Sequence, residues 1–380
     1  MLELHSPPPF AYAHASNASV QRLLESCLQQ LSPPQATQTI GIAYFSDSLT
    51  ESLESLLQQL RHHYPELLWL GTVGMVICAT GEEYYGENHA MALMLLEIEP
   101  SHFHPLPPPV DMNYPWSEPT LAWLQQHEQY FGFIHGDPMD RLTLRLIKSL
   151  TAVAGNGFIN GGLSSSHQHH YQIFADEVRQ GGISGVLFDE QVPLWTTHTQ
   201  SCLPVGTSHR ITRASGNLLL ELDQIPAAEV LQSEVDFNQF SSASEIGEQV
   251  HAALLLPGDE SGDYLVRNLL ALDSERGIVA VAENMEAYQR MRFCRLDSES
   301  AKLDMEQRLQ QLKQRIGGRQ IRGGLYISCL GRGRNQFGVG VELALIQAQL
   351  GEFPLIGFFA NGEIYRNQLY GYTGVLTLFG

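Results

Sequence analysis

From Gly323 to Gly380 the apolar positions change period several times, and each change predicts an element. The run G-G-L-Y-I-S suits a buried strand, and Gly331 and Gly333 break it at a loop carrying Arg332 and Arg334. Val341, Ala344, Leu345 and Ala348 then recur at helical spacing, a helix that Gly351 stops and Pro354 keeps from resuming. Two further apolar segments, divided at Gly362, run to the terminus. The same order of strand, helix, strand ending in glycine, and hairpin occurs twice earlier. Residues 40–45, 53–60 and 67–70 lead to Gly71, a hairpin punctuated by Gly81 and Gly86, and a strand over 91–98. Residues 130–134, 142–150 and 157–159 lead to Gly161-Gly162 and a hairpin over 172–188. Blocks near 40–99, 130–189 and 322–379 are therefore internal repeats, too long for a solenoid. Strands apolar on both faces need helices above and below them. The predicted fold class is α/β: two domains of layered mixed sheets and helices, built from recurring strand-helix-strand-hairpin units.

Outside the blocks the pattern is less regular. Val20, Leu23, Leu24, Cys27, Leu28 and Leu31 predict a helix closed by Pro33-Pro34, with the Pro- and Ser-rich residues 1–18 covering a surface. Seven prolines between Pro100 and Pro119 predict an irregular connection. After a strand over 192–199 and a turn at 202–206, hairpin signals fill 209–222 and a short helix follows at 226–231. The polar run 238–248 separates these from strands over 264–270, 277–281 and 290–296. An amphipathic helix over 303–316 then ends at Gly317-Gly318.

Three separated motifs carry a family resemblance: S-C-L-G-R-G-R, P-L-I-G-F-F-A-N-G-E-I and the ending Y-G-Y-T-G-V-L-T-L-F. In this order they resemble the C-terminal domain of FIST (F-box and intracellular signal transduction) proteins. L-G-T-V-G-M-V with G-E-E-Y-Y-G, and N-G-G-L-S-S-S with G-G-I-S-G-V-L-F-D, resemble the FIST N-terminal domain. The resemblance covers most of 40–380 and implies domains over 1–222 and 223–380. Where the family often has Gly-Cys-Ser, Gly71 is followed here by Thr72 and Val73, so no role of that cysteine transfers. The resemblance implies a sensory module that binds a small molecule, usually proposed to be an amino acid or similar metabolite. It implies no cofactor. With no F-box, kinase, methyl-accepting or cyclase segment apparent, signalling would pass to a separate protein.

Charge narrows the classes. A formal charge of −19 repels phosphate backbones, which argues against a nucleic-acid partner. Between Lys302 and Arg334, however, eight cationic residues face only Asp304 and Glu306. That stretch is either a helix face docked on an acidic neighbour or a field that draws an anionic ligand. Five scattered cysteines without a C-x-x-C pair suggest reduced thiols, and no basic and apolar leader opens the chain. No run approaches the roughly 20 apolar residues of a membrane helix. The expectation is a cytoplasmic protein without a membrane partner.

The candidate site is Cys329, Gly331, Arg332, Gly333 and Arg334, joined by Gly357, Phe359 and Glu363. Glycines 331 and 333 let backbone N–H groups converge, the next helix points its positive end there, and an arginine fork grips a carboxylate or phosphate in two parallel hydrogen bonds. Equally, the loop is a tight turn whose arginines pair with Glu342, Glu363 or acidic residues of the other domain. No Gly-Lys-Ser/Thr follows, so this is not a P-loop, and the glycine spacing fails the dinucleotide fingerprint. Glu363 suits a ligand amine or an ion pair with Arg332 or Arg334. Of Phe358 and Phe359, alternating along a strand, only one can line a pocket. Gly71, Gly74, Gly161, Gly162 and Gly357 mark strand ends where a neighbouring strand, or else a ligand, comes close. Cys329 as a nucleophile defines the alternative of a thiol enzyme, and a ligand-free interaction scaffold is the other. His167, His169 and His170 have no third metal ligand at a recognisable spacing, and no histidine is marked as a haem ligand. The four tryptophans are too dispersed for an aromatic cage.

Overall fold

Strands expected to be buried on both faces form parallel pairs at the centres of mixed sheets. The computed structural model of the chain describes residues 8–31, 33–109, 115–153, 157–240, 243–256 and 264–380. These form two units: residues 1–199 with 305–369 and 373–380, and residues 200–304 with 370–372. The units are discontinuous, so they divide the chain differently from the sequential domains 1–222 and 223–380.

In the larger unit each repeat is longer than the sequence pattern indicated. The first runs β1 (Ala11–Asn17), α1 (Val20–Gln30), β2 (Ile40–Ser46), α2 (Leu53–His63), β3 (Leu68–Gly74), hairpin β4 (Ile77–Ala79) and β5 (Glu82–Tyr84), then β6 (His89–Leu96). The second repeats that order: β7 (Phe103–Leu106), α3 (Glu118–Gln126), β8 (Tyr130–Gly136), α4 (Thr143–Val153), β9 (Phe158–Leu163), β10 (Gln172–Phe174), β11 (Glu177–Arg179) and β12 (Ile183–Asp189). The third opens with β13 (Leu194–Gln200). In chain order it is then interrupted by β14 (Cys202–Ser215), β15 (Leu218–Leu222), β16 (Ile225–Pro226), α5 (Ala227–Glu234), α6 (Ala243–Gln249), β17 (Val250–Leu255), β18 (Tyr264–Asp273), β19 (Ile278–Val281) and β20 (Arg290–Leu296). It resumes with α7 (Ser298–Ile316), β21 (Gly323–Cys329), α8 (Val341–Leu350), β22 (Leu355–Ala360), β23 (Glu363–Tyr365), β24 (Gln368–Tyr370) and β25 (Thr373–Phe379).

Pairing makes the repetition cyclic. The sheets run β1-β6-β2-β3-β10-β11, β7-β12-β8-β9-β23-β24 and β13-β25-β21-β22-β4-β5. Each has a parallel core pair, β2–β3, β8–β9 or β21–β22, flanked by its own antiparallel return strand. Each is then extended by the hairpin of another repeat. The first repeat's hairpin joins the third sheet, the second's the first, and the third's the second. No repeat can complete its sheet alone.

Close approach in the core pairs explains one glycine position. A Cβ on Gly71, Gly161 or Gly357 would lie 1.8, 1.8 and 1.7 Å from the carbonyl oxygen of Ala43, Ile134 and Tyr326. This is strand packing, and it gives Gly357 a reason independent of any ligand. The three sheets meet through Tyr44, His135 and Phe358, with ring centroids 5.0–6.1 Å apart. Burial pushes the His135 imidazole down to about 3, so the ring is neutral there.

The connections hold what periodicity did not reveal. Within the proline-rich stretch, β7 is an edge strand in which Pro105 faces Val186. An edge position tolerates the missing N–H. Residues 110–114 of that stretch and 1–7 of the N-terminal one lie outside the described residues. Within 8–18, β1 is likewise an edge strand, pairing with β6. Helix α3 was not anticipated, although Ser117 caps it by accepting from Thr120 N–H and Pro119 sits in its first turn. The expected turn at 202–206 is the start of the long strand β14, which a register shift between Val205 and His209 bends.

In the smaller unit, β14-β20-β17-β18-β19-β15 pair in order and β15 pairs back onto β14, closing an antiparallel ring. Among the described residues no helix is long and apolar enough to cross a membrane.

Candidate functional site

The chain leaves β21 at Cys329 and turns at once. Arg332 N–H donates to Cys329 O (2.9 Å), Gly333 takes φ +56°, and Gly333 O accepts from the N–H groups of Gln336, Phe337 and Gly338. A Cβ on Gly333 would lie 2.2 Å from the Phe359 ring and 2.6 Å from the Tyr85 hydroxyl. Only glycine fits this bend, and Phe359 packs beneath it.

The sequence offered this loop either to an external anion or to an acid of the chain, and the donors found here converge on an acid of the chain. That acid is Glu342, from the first turn of α8. The Glu342 carboxylate accepts from Arg332 Nε (2.8 Å), Tyr326 Oη (2.6 Å), Ser328 Oγ (3.1 Å) and Gly333 N–H (3.2 Å), with Arg332 Nη2 at 2.7 Å. Both charged side chains are 0% exposed. Arg332 also donates through Nη1 to Thr199 O (3.1 Å) and lies over the Phe337 ring. This corrects the reading of Arg332 as a fork offered to a ligand, because its donors are committed inside the fold. Burial alone works against its charge, yet Glu342 more than offsets that and holds the guanidinium charged.

Arg334 behaves differently. It is exposed, its N–H donates to the Tyr85 hydroxyl (2.9 Å), and its guanidinium lies 4.6 Å from that ring's centroid.

Glu363 is fully buried at the start of β23. Its Oε2 accepts from Thr373 N–H (3.1 Å) and Thr373 Oγ1 (2.9 Å), and the Cys329 thiol donates to the same carboxylate. Burial pushes the carboxyl up to about 7, against the opposing pull of those bonds and of Arg332. Cys329 is half-buried, whereas the carboxyl it meets is fully buried. Phe358 and Phe359 are both in the core, at 0% and 1% exposed.

Comparing repeats shows what is peculiar here. Aligning on the close-approach glycines makes Tyr326 equivalent to Ala43 and Ile134, and Ser328 equivalent to Phe45 and Gly136. Glu363 is equivalent to Gln172 and Ile77. Gln172 is neutral, bonded to Gly181 O, Gly182 O and Ser184 Oγ. The buried ionic and acidic groups at these positions belong to the third repeat alone. Tyr326, Ser328 and Thr373 were missed in the sequence; for Tyr326 and Ser328 the signal was a block-to-block comparison at two positions of β21.

Other candidates disperse. The cationic stretch divides: Arg322 pairs with Glu97 (2.6 Å), Arg315 donates to Thr196 O, and Arg319 lies over Trp195. In the histidine run, His167 N–H donates to Asp47, His169 stacks on Tyr171 and His170 bonds Ser164 Oγ. Among the described residues no group of acidic, Cys and His side chains is arranged to hold a metal ion.

Residues 39–225 match the FIST N domain and residues 227–366 match the FIST C domain. An uncharacterized protein of Mycobacterium bovis is 33% identical over 243 residues, 60% of each chain. An uncharacterized protein of Mycobacterium tuberculosis is 30% identical over 257 residues, 64% of this chain and 66% of its own. The matched region thus spans under two thirds of these relatives. With both domains present in order over most of its length, the chain belongs to the FIST family.

Proposed function

We propose that this chain is a sensory module that binds a small metabolite, an amino acid or a related molecule, and passes the signal to a separate protein in the cytoplasm. FIST domains are associated with signal transduction and sensing, which gives the class. The observation that carries the finer reading is the acid–thiol pair of the third repeat. Sibling repeats fold with isoleucine or glutamine where Glu363 stands, so the fold does not require a carboxylate there. Buried ionisable groups that a fold does not need concentrate at functional sites. In this reading Glu363 meets the ligand's amine past Cys329, Arg334 at the loop surface meets its carboxylate, and the Arg332–Glu342 pair fixes the loop that presents them. Gly331, Gly333, Gly357 and Phe359 shape the wall. All five cysteines are free thiols, which supports a reducing compartment.

Thermal-shift titration with amino acids and organic acids tests the proposal. A ligand at 100 times its dissociation constant should stabilise the protein by about 2.7 kcal/mol. Glu363→Gln and Arg334→Gln should each abolish the shift while leaving the far-UV circular dichroism unchanged. A ligand that shifts both variants as it shifts the wild type would sink this site, and the absence of any shift would favour a scaffold. The thiol-enzyme alternative requires an imidazole at the nucleophile, whereas the Cys329 partner found here is a carboxylate.

A further inference from the structure

In the smaller unit His209 stands between two carboxylates. Its Nδ1 is 2.8 Å from Asp223 Oδ2, and its Nε2 is 2.8 Å from Glu234 Oε1. A carboxylate only accepts, and a neutral imidazole carries a single N–H. Both contacts are therefore hydrogen bonds only when the ring is an imidazolium. Asp223 does not hold the proton instead. Arg210 N–H donates to its Oδ1 (3.0 Å), and that bond, followed by the one from His209, keeps its carboxyl below the usual range.

The three residues come from three elements. His209 follows the bend of β14, where the register shifts after Val205. Asp223 lies in the turn from β15 to β16, and Glu234 is the last residue of α5, whose Ala227, Ala228, Val230 and Leu231 are buried. The bend is shaped to receive the Glu234 carboxylate. Gly206 takes φ +63°, and a Cβ there would lie 2.1 Å from that carboxylate, whose Oε1 also accepts from Thr207 N–H (2.8 Å). Its Oε2 is buried without a hydrogen-bond donor among the described residues. From β20, Met291 pairs with His209, while Arg290 donates to Ser208 Oγ (2.9 Å) and Ser208 O (2.8 Å) and favours the charge on Asp223. Burial disfavours a cation at His209, but the bonds to Glu234 and Asp223 outweigh it and raise the ring above its ordinary 6.5.

We propose that His209 is a proton-controlled latch that ties the end of α5 to the bend of β14 and to the β15–β16 turn. Protonated, the ring bridges both acids. Without the proton it donates to only one, and a ring lone pair then faces the other carboxylate. The latch is closed below pH 6.5 and opens as pH rises through the raised value, because the folded state then gives up the proton that made both bonds. What it releases is the last turn of α5 and the chain at Gly206 and Thr207. It shares no residue with the Cys329–Glu363 cluster and stands without the proposal made for that cluster.

Hydrogen–deuterium exchange of residues 227–234 in the full chain, corrected for the pH dependence of intrinsic exchange, tests the latch from about pH 5.5 to about 8.5. Protection should fall on the order of 10-fold across that range, the loss of one charge-assisted hydrogen bond. Its midpoint should coincide with that of the His209 ring followed by NMR and lie above 6.5. Two variants should flatten the profile at opposite levels. His209→Gln leaves two carboxylates without a cation and should exchange at every pH as the wild type does at the alkaline end. Glu234→Gln supplies an amide that donates to Nε2 of the neutral ring while its oxygen keeps Thr207 N–H, so this variant should stay protected throughout. Wild-type protection that does not change with pH overturns the proposal. So does a His209 midpoint at or below 6.5, or a Glu234→Gln profile that still follows the wild type.

Discussion

Glu342→Ala is expected to destabilise the protein by about 3–5 kcal/mol, read as a lowered midpoint of urea unfolding followed by tryptophan fluorescence. The magnitude follows from what the carboxylate leaves behind. Arg332 is 1% exposed, so removing its counter-ion strands a guanidinium in the core. Tyr326 Oη, Ser328 Oγ and Gly333 N–H lose the same acceptor at once. Alanine supplies no replacement and leaves a cavity besides. The double substitution Arg332→Met with Glu342→Leu should recover the part of the loss that comes from the stranded charge, because it removes the charge together with its partner. The Tyr326 and Ser328 hydroxyls and Gly333 N–H still lack their acceptor in the double variant, so its recovery stays incomplete. A single variant within 1 kcal/mol of the wild type, or a double variant as unstable as the single, would show that the pair is not buried as described.

Much of the fold was legible because burial on both sides writes itself as continuous apolar runs. Residues 40–45, 130–134 and 323–328 are such runs, and each is a central strand with a parallel neighbour. Gly71, Gly161 and Gly357 were expected to end the next strands, but they lie inside β3, β9 and β22, and what requires them is the facing carbonyl, against which no side chain fits. Edge strands were not legible. β1 and β7 are buried from one side only, and β7 contains a proline, so their composition resembles that of a loop. Which sheet a hairpin joins was also hidden. Ile77–Ala79 looks like a local return after β3, yet it pairs with β22 across more than 270 residues of chain, and no short-range pattern encodes that choice. At the site, the loop, its glycines and Arg332 were readable, but the Tyr326 and Ser328 donors were not. Whether the anion was external or Glu342 was not, because helical spacing fixes the face a residue occupies and not what that face meets. The neutral-range carboxyl of Glu363 was equally hidden, since it depends on burial by strands distant in sequence.

That carboxyl gives the second large effect. In the unfolded chain a glutamate titrates near 4.5, and in the folded protein Glu363 is held up to about 7. Below 4.5 the group is protonated in both states and its contribution to stability is complete. Between the two values the folded state keeps the proton and the unfolded state gives it up. Raising the pH therefore favours unfolding, and the contribution is lost as pH passes 7. A displacement of this size amounts to about 3 kcal/mol. Glu363→Gln keeps the shape and an acceptor for Thr373 but cannot ionise, so its stability should lack this slope. The variant should gain on the wild type steadily from pH 4.5 to 7 and hold a lead of about 3 kcal/mol at pH 8. Chemical denaturation of both proteins at half-unit steps measures the difference directly, and other titrating groups cancel in it. A difference that stays constant across the window would mean that the carboxyl ionises normally in the fold. A difference that rises as expected would leave Glu363 divided between its two forms at neutral pH, where a bound cation would shift it to the carboxylate and release a proton.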